Sequence, residues 1–390
     1  MSKPRKTICL VANTAFTLIN FREELMAKLV SLGHRVVAVV PDTCEFLQNK
    51  DIAAEFAARG IEFHPCAFSR LGINPFKDIR SVMVSYSIFR KLNPDVVLNY
   101  TVKPTIYASC SAWWAGVPVI ASNITGVGSV LTSQSGLKNK MLSWIILILY
   151  RFALQRNTVV FFQNPDNRKM FENQGCLEQT PTKILNGSGV NLTHFKRKMP
   201  LSTRPRFLFA GRLLVDKGIW EYIKAARLVK KNYPQAVFSV LGHLDAGKGG
   251  FSQSDLDTVI AEGMITYYPP RQDIRPVLED HNVLVLPSYG EGTPRAVLEA
   301  MAFGMPIITT DVPGCRDTVQ QAQNGFCVPA RDILSLANSM VQLIENPNII
   351  ASMGLRSREM AECKYDVHKV VSEVLHAVGI PDTVETEGEF

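Results

Sequence analysis

Short uninterrupted apolar runs alternate along the whole chain with longer stretches of mixed apolar and polar residues. The first run, residues 7–12, predicts a strand. A helix follows over about 21–32, Gly33 stops it, and a second strand over 35–40 closes at Pro41. Further runs at 95–100, 117–121, 159–162, 206–210, 236–241, 283–286 and 307–309 predict strands of the same kind. None alternates polar with apolar positions, which is the pattern of strands buried on both faces of a parallel sheet. Helical stretches between them predict repeated βαβ units on both sides of the midpoint.

The pattern breaks at residues 194–205, HFKRKMPLSTRP, which are basic, Pro-bearing and without hydrophobic period. With 390 residues the chain exceeds the length at which a single core usually splits. Two doubly wound, Rossmann-like α/β domains facing a central cleft are therefore expected, an N-terminal one over 1–198 and a C-terminal one over 199–380. The last helix is expected to pack back on the N-terminal domain, and the acidic stretch 381–390, PDTVETEGEF, to be a disordered tail.

Composition narrows the class. The chain is 46% hydrophobic and 20% charged, which excludes disorder, collagen and coiled coil. Its cysteines (Cys9, Cys44, Cys66, Cys110, Cys176, Cys315, Cys327, Cys363) form no CxxC pair, so reduced, mostly buried thiols are expected, not a zinc cage or disulfide framework. The basic N-terminus has only a strand-length apolar run before Asn13 and Thr14, too short for a signal peptide, and a cytoplasmic protein is expected. Net charge is +7, but residues 1–200 hold 24 Lys and Arg against 12 Asp and Glu, while the remainder holds 18 against 23. The basic half should meet something anionic. Its cations are scattered, which speaks against nucleic acid and for an anionic membrane surface or a phosphorylated substrate. The apolar stretch 141–154 is too short to span a bilayer; it reads as a core helix, with an interfacial membrane helix as the alternative.

Two segments carry chemistry. In residues 286–301, LPSYGEGTPRAVLEAM, a strand ends at Pro287, a Gly-rich turn follows, and a helix starts near Thr293 or Pro294. The backbone N–H groups of Arg295 and Ala296 would then offer an anion site at the carboxyl end of the sheet, where open α/β sheets bind ligands. Glu291 in the turn and Glu299 two helical turns later could hold different parts of one hydroxyl-rich ligand. In residues 209–218, FAGRLLVDKG, a strand runs into Gly211, with Arg212 and Lys217 placed to clamp a diphosphate.

Together these segments resemble the glycosyltransferase family 4 retaining enzymes of the GT-B fold, and the resemblance covers nearly the whole chain. Glu291 and Glu299 match that family's Glu-x7-Glu motif; Gly211, Arg212 and Lys217 match its diphosphate-binding loop. Pro294 with Arg295, TDVPGCR at 310–316, TLINFR at 17–22 and YTVKP at 100–104 look like the bacterial subgroup that builds lipid-linked oligosaccharides. The resemblance implies that Arg212 and Lys217 neutralise the departing nucleotide diphosphate, helped by the Arg295 and Ala296 amides. Glu299 would bind the ribose and Glu291 the donor sugar. Gly292, Thr293 and Pro294 would line the donor, and Arg271 would border the base.

The sequence departs from the family where many members carry a histidine near the sugar. Here stands SNITGVG at 122–128, so that Asn123 or Thr125 would replace its hydrogen bonds, and Gly126 and Gly128 allow close backbone approach. Asn20, Arg22 and Lys103 follow predicted strands of the basic half and could meet the acceptor, their alternative being solvated surface cations. The implied activity is retaining transfer of a hexose or N-acetylhexosamine from a UDP-sugar to a lipid-linked (undecaprenyl-diphosphate type) saccharide. It would run without metal or cofactor, in a cytoplasmic protein peripheral to the inner face of the cell membrane. An epimerase of the same fold, or a non-catalytic sugar-nucleotide-binding protein, are the alternatives. The near-P-loop at 242–249 lacks the Ser or Thr that holds magnesium, and Asp255 with Asp257 reads as a solvated helix face.

Overall fold

The structure, a computed structural model, describes residues 4–43, 51–68, 74–127, 137–196, 204–244 and 250–382. Cys44, Gly128, residues 197–203 of the expected linker, 245–249 of the near-P-loop and 383–390 of the expected tail lie outside the described residues.

The chain forms two compact units, one of Met1–Ser188 with His368–Phe390 and one of Gly189–Val367. The division falls after Ser188 instead of at residue 198 because Val190 pairs with Asp366 and donates its N–H to the Tyr365 carbonyl at 2.7 Å. Those bonds tie the segment after Ser188 to the second unit.

In the first unit, strands β1 (Thr7–Val11), β2 (Arg35–Val40), β3 (Glu62–Pro65), β4 (Val96–Tyr100), β5 (Val119–Ile124), β6 (Val159–Phe162) and β7 (Thr182–Ile184) make one parallel sheet. Its order is β3-β2-β1-β4-β5-β6-β7, so the winding reverses between β1 and β4. A helix that the sequence pattern did not predict, α1 (Ala15–Phe21), precedes the expected helix at 21–32, which is α2 (Glu23–Ser31); the two part where Arg22 leaves helical geometry. Then come α3 (Ile52–Ala57), α4 (Pro75–Leu92), α5 (Val102–Ala115), α6 (Leu137–Leu154) and α7 (Pro165–Asn173). Right-handed crossovers put α4, α5 and α6 on one face of the sheet. There Phe89, Ala108 and Ala112 pack on Val11, Val39 and Val97, and Tyr150 and Leu154 on Phe162.

The second unit repeats the plan with β8 (Arg206–Ala210), β9 (Val237–Leu241), β10 (Thr266–Tyr268), β11 (Val283–Leu286), β12 (Ile307–Thr310) and β13 (Gly325–Val328), in the order β10-β9-β8-β11-β12-β13 and all parallel. Its helices are α8 (Ile219–Asn232), α9 (Gln253–Ala261), α10 (Arg275–Glu279), α11 (Arg295–Ala302), α12 (Ile333–Glu345) and α13 (Asn348–Lys364). Asp255 closes a capping box with Ser252 at the start of α9, and Asp257 accepts from Gln253, so both carboxylates serve the helix. A last helix, α14 (Val367–Ala377), returns the chain to the first unit, where Lys6 Nζ donates to the Gly379 carbonyl at 3.1 Å and Lys28 pairs with Asp382 at 3.0 Å.

Among the described residues no helix is long and apolar enough to cross a membrane. Cys9, Cys66, Cys110, Cys176 and Cys315 are buried free thiols, whereas Cys327 is half-buried and Cys363 exposed. Burial pushes the Cys9 thiol up to about 12.

Between β8 and α8 a one-turn 3-10 helix, Val215–Lys217, ends at Gly218 with φ +75°. A Cβ there would stand 2.1 Å from the Pro287 carbonyl oxygen, so the loops after β8 and β11 touch backbone to backbone. Gly218→Ala is expected to combine left-handed strain with this clash and to cost more than about 2 kcal/mol, lowering Tm by at least about 5 °C in thermal unfolding.

Candidate functional site

The second sheet reverses its winding between β8 and β11, and the two expected segments leave its carboxyl end at that point. The loop after β8 carries Arg212, exposed directly behind Gly211, and Lys217, the last residue of the 3-10 turn. The loop after β11 carries Ser288, Tyr289, Glu291, Gly292 and Thr293. Lys217 Nζ meets Glu291 Oε1 at 2.6 Å with both side chains about one-sixth exposed (16% and 15%). Ser288 Oγ donates to the same oxygen at 2.9 Å, and the Tyr289 N–H donates to the Asp216 carbonyl at 2.8 Å. One carboxylate oxygen thus takes a charged and a neutral donor, which fixes the ammonium at the mouth of the sheet.

The turn is held from its other side by the loop after β12. The Glu291 N–H donates to the Pro313 carbonyl at 3.1 Å, and Gly314, with φ +78°, lies so close that a Cβ would be 2.1 Å from the Gly292 carbonyl oxygen. Buried Cys315 follows; burial pushes its thiol up to about 12, with the nearby Glu291 charge adding to the effect. Tyr289 donates to Glu221 Oε1 at 2.7 Å, and burial followed by that bond raises its hydroxyl to about 12. Such a tyrosine stays a neutral donor across the physiological range.

Helix α11 starts after Pro294, where no side chain caps it, and the Val297 and Leu298 amides both turn back to the Pro294 carbonyl, at 3.0 and 3.2 Å. Four residues apart on this helix, Arg295 Nε donates to Glu299 Oε1 at 2.9 Å, and Arg295 Nη1 donates to the Gly189 carbonyl at 2.7 Å. Gly211, Arg212, Lys217, Glu291, Gly292, Thr293, Pro294, Arg295, Ala296 and Glu299 are therefore on loops and a helix start that converge on one sheet end. Arg271 stands apart on the far edge, exposed after β10 with its guanidinium 5.5 Å from the Tyr268 ring centre. Sequence reasoning missed Ser288, Asp216, Tyr289 and Gly314. Gly314 was within reach, since the PG of TDVPGCR already stood among the singled-out motifs. Among the described residues, no three His, Cys, Asp or Glu side chains group as metal ligands would.

In the first unit the expected residues are built into the fold. Arg22 is 6% exposed, its guanidinium 4.5 Å from the Tyr100 ring centre and its Nη1 donating to the Phe21 carbonyl. Lys103, in the first turn of α5, meets Asp78 of α4 at 2.7 Å, and both are largely buried. Neither is the solvated surface cation of the alternative reading. Asn20 is exposed at the end of α1. Asn123 is the next-to-last residue of β5, beside Tyr100, with Oδ1 buried and unbonded, and Thr125 and Gly126 follow the strand, half-buried. Between β4 and α5, Thr101 holds φ +71° and ψ 165°, a conformation open to glycine and costing a β-branched residue about 1–3 kcal/mol. That strain sits where the first sheet reverses its winding.

Residues 204–346 match the family model Glycosyl transferases group 1. The N,N'-diacetylbacillosaminyl-diphospho-undecaprenol alpha-1,3-N-acetylgalactosaminyltransferase of Campylobacter jejuni is 24% identical over 379 residues, which are 94% of this chain and 96% of that protein. The UDP-Gal:alpha-D-GlcNAc-diphosphoundecaprenol alpha-1,3-galactosyltransferase of Escherichia coli is 25% identical over 322 residues, 77% of this chain and 79% of that protein. Among solved structures, Anabaena HepE in complex with UDP and glucose aligns with a TM-score of 0.76 at 15% identity, over 96% of this chain and 100% of that one. Sucrose-phosphate synthase from Thermosynechococcus elongatus aligns at 0.77 and 18% identity, over 95% and 98%. The two parallel-sheet units are the GT-B architecture expected from the sequence.

The Lys103–Asp78 pair generates a stability prediction. Lys103→Met leaves a buried carboxylate without its cation and is expected to cost about 3 kcal/mol in denaturant unfolding. Adding Asp78→Asn should recover most of that loss.

Proposed function

We propose that the chain, whose residues 204–346 match the Glycosyl transferases group 1 model, is a glycosyltransferase that moves a hexose or N-acetylhexosamine from a UDP-sugar to a lipid-linked saccharide of undecaprenyl-diphosphate type, with retention. The carrying observation is the Lys217–Glu291 contact at the winding reversal of the second sheet, beside the uncapped start of α11. The relatives named for transfer to diphosphoundecaprenol-linked sugars support the acceptor class, and HepE, solved with UDP, supports the donor class.

In this reading the diphosphate of the donor lies between the loop after β8 and the start of α11. An ammonium has three N–H donors, so Lys217 can hold Glu291 with one and the diphosphate with another. Exposed Arg212 adds a forked cation, and the Arg295 and Ala296 amides add dipolar donors. As the glycosidic bond breaks, negative charge builds on the departing diphosphate, and these positive groups stand ready for it. Preorganised charge of this kind does the work a divalent cation does elsewhere, so no metal or cofactor enters the reading. Glu299, steadied by Arg295, takes the ribose hydroxyls, and Glu291 takes hydroxyls of the donor sugar. Arg271, on the edge strand's loop, borders the base, while Asn123, Thr125 and Gly126 serve the donor sugar from the first unit. Asn20, Arg22 and Lys103 belong to the acceptor side, the last two by shaping it from within. The protein works on the cytoplasmic side, at the inner face of the cell membrane, and needs no nucleic acid.

The test is nucleotide release in EDTA from UDP-, GDP- and ADP-sugars, with and without bacterial lipid extract. Release from one UDP-sugar should rise sharply with lipid. Lys217→Ala should lower turnover about 10²–10³-fold and Glu291→Ala should abolish it, with folding retained by circular dichroism. A wild-type rate in Lys217→Ala would refute the leaving-group role. Tight UDP binding without any release would favour the non-catalytic binding protein.

A further inference from the structure

Helix α6 is apolar on two sides. Ile146, Leu147, Tyr150, Ala153 and Leu154 recur at helical spacing and pack into the core of the first unit. Met141, Trp144, Ile145, Ile148 and Phe152 make a second stripe, and every one is exposed, Trp144 by 64%. The core-helix reading of 141–154 accounts for the first stripe only. A helix apolar all round belongs either in a deep core or against lipid.

The second stripe is not isolated. Helix α5 packs between α4 and α6: Ser111 Oγ donates to the Val82 carbonyl at 2.9 Å, and the Trp113 ring meets Phe152 edge-on with centroids 6.4 Å apart. On α5 Trp113 and Trp114 are exposed, and on α4 Phe76 (86%), Ile79 and Met83. Cations are interleaved with these side chains. Lys77, Arg80 and Lys140 are exposed, and the Arg156 guanidinium lies over the rings of Trp113 and Phe152. Acids are scarce: none occurs between Asp95 and Asp166, Asp78, the lone acid of the three helices, is buried against Lys103, and Glu178 meets α6 only in its pair with Arg151 at 2.7 Å.

We propose that the outer face of α4, α5 and α6 is the surface by which the protein docks on an anionic lipid bilayer, a reading that rests on the lipid-linked acceptor proposed above and locates its meeting place on the first unit. Tryptophan rings settle at the headgroup level, where an apolar body and an N–H are both satisfied. The cations meet anionic headgroups, and the aliphatic side chains enter the acyl boundary without spanning it. Charge selects the bilayer over a second copy of the chain. A two-fold pairing through this face would press the same unneutralised cations against each other.

The experiment is flotation with vesicles of phosphatidylethanolamine and phosphatidylglycerol, beside vesicles of phosphatidylcholine alone, at about 0.1 M salt. The protein should float with the anionic vesicles, shift its tryptophan emission to the blue, and bind the neutral vesicles much more weakly. W144S/I148S and K77E/R80E should each lower anionic-vesicle binding about tenfold. UDP binding, a property of the second unit, should stay unchanged in both variants. Wild-type protein that stays unbound, or variants that bind as well as wild type, would overturn the proposal. So would a concentration-dependent dimer that W144S/I148S dissociates while vesicle binding is absent. Vesicle binding without sugar transfer would remove the transferase reading and leave the docking face, and transfer without vesicle binding would do the reverse.

Discussion

Two backbone approaches too close for any side chain hold the second unit's site together. Gly218 lies against the Pro287 carbonyl, and Gly314 against the Gly292 carbonyl. The first joins the loops after β8 and β11, the second joins the loops after β11 and β12. Parallel strands deliver all three loops to the same end of the sheet, and these contacts set their spacing. Lys217 precedes one glycine directly, and Glu291 lies within the turn pinned by the other. The 2.6 Å contact between them is therefore inherited from main-chain packing more than created by attraction of the charges. A buried pair of this kind repays its desolvation only when its geometry is fixed in advance.

The central strands were legible because burial on both faces leaves an unbroken apolar run, as in residues 36–40 and 283–286. Strands β3, β7 and β10 were not, since none of their residues is fully buried and they carry residues such as Glu62, Lys183 and Thr266. The site's charged residues and its helix start were legible for a similar reason: both segments are continuous in sequence. Ser288 and Asp216 contribute by meeting other loops in space, which no spacing reports.

The first unit shows the opposite limit. A cation after a strand looks the same in sequence whether it faces a ligand or a neighbour, and Lys103 and Arg22 found Asp78 and Tyr100 inside the fold. Helix α6 defeated the pattern differently. Hydrophobic spacing finds the stripe that faces the core but cannot say that an equally apolar stripe faces out. Thr101 carries no signal at all, because its left-handed backbone is imposed by the β4–α5 junction on a residue that disfavours it.

The chain leaves the first unit at Ser188 and returns to it at His368, with Val190 and Asp366 clasped at the base of the second unit. Order of synthesis then matters. A nascent first unit has all seven strands but lacks α14 until the whole second unit has been translated, an interval of roughly ten to forty seconds at ordinary ribosome speeds. The second unit emerges with both of its ends already neighbours and can close on its own. The half made first is thus the half finished last, and it waits with its α14 docking surface uncovered while the other folds.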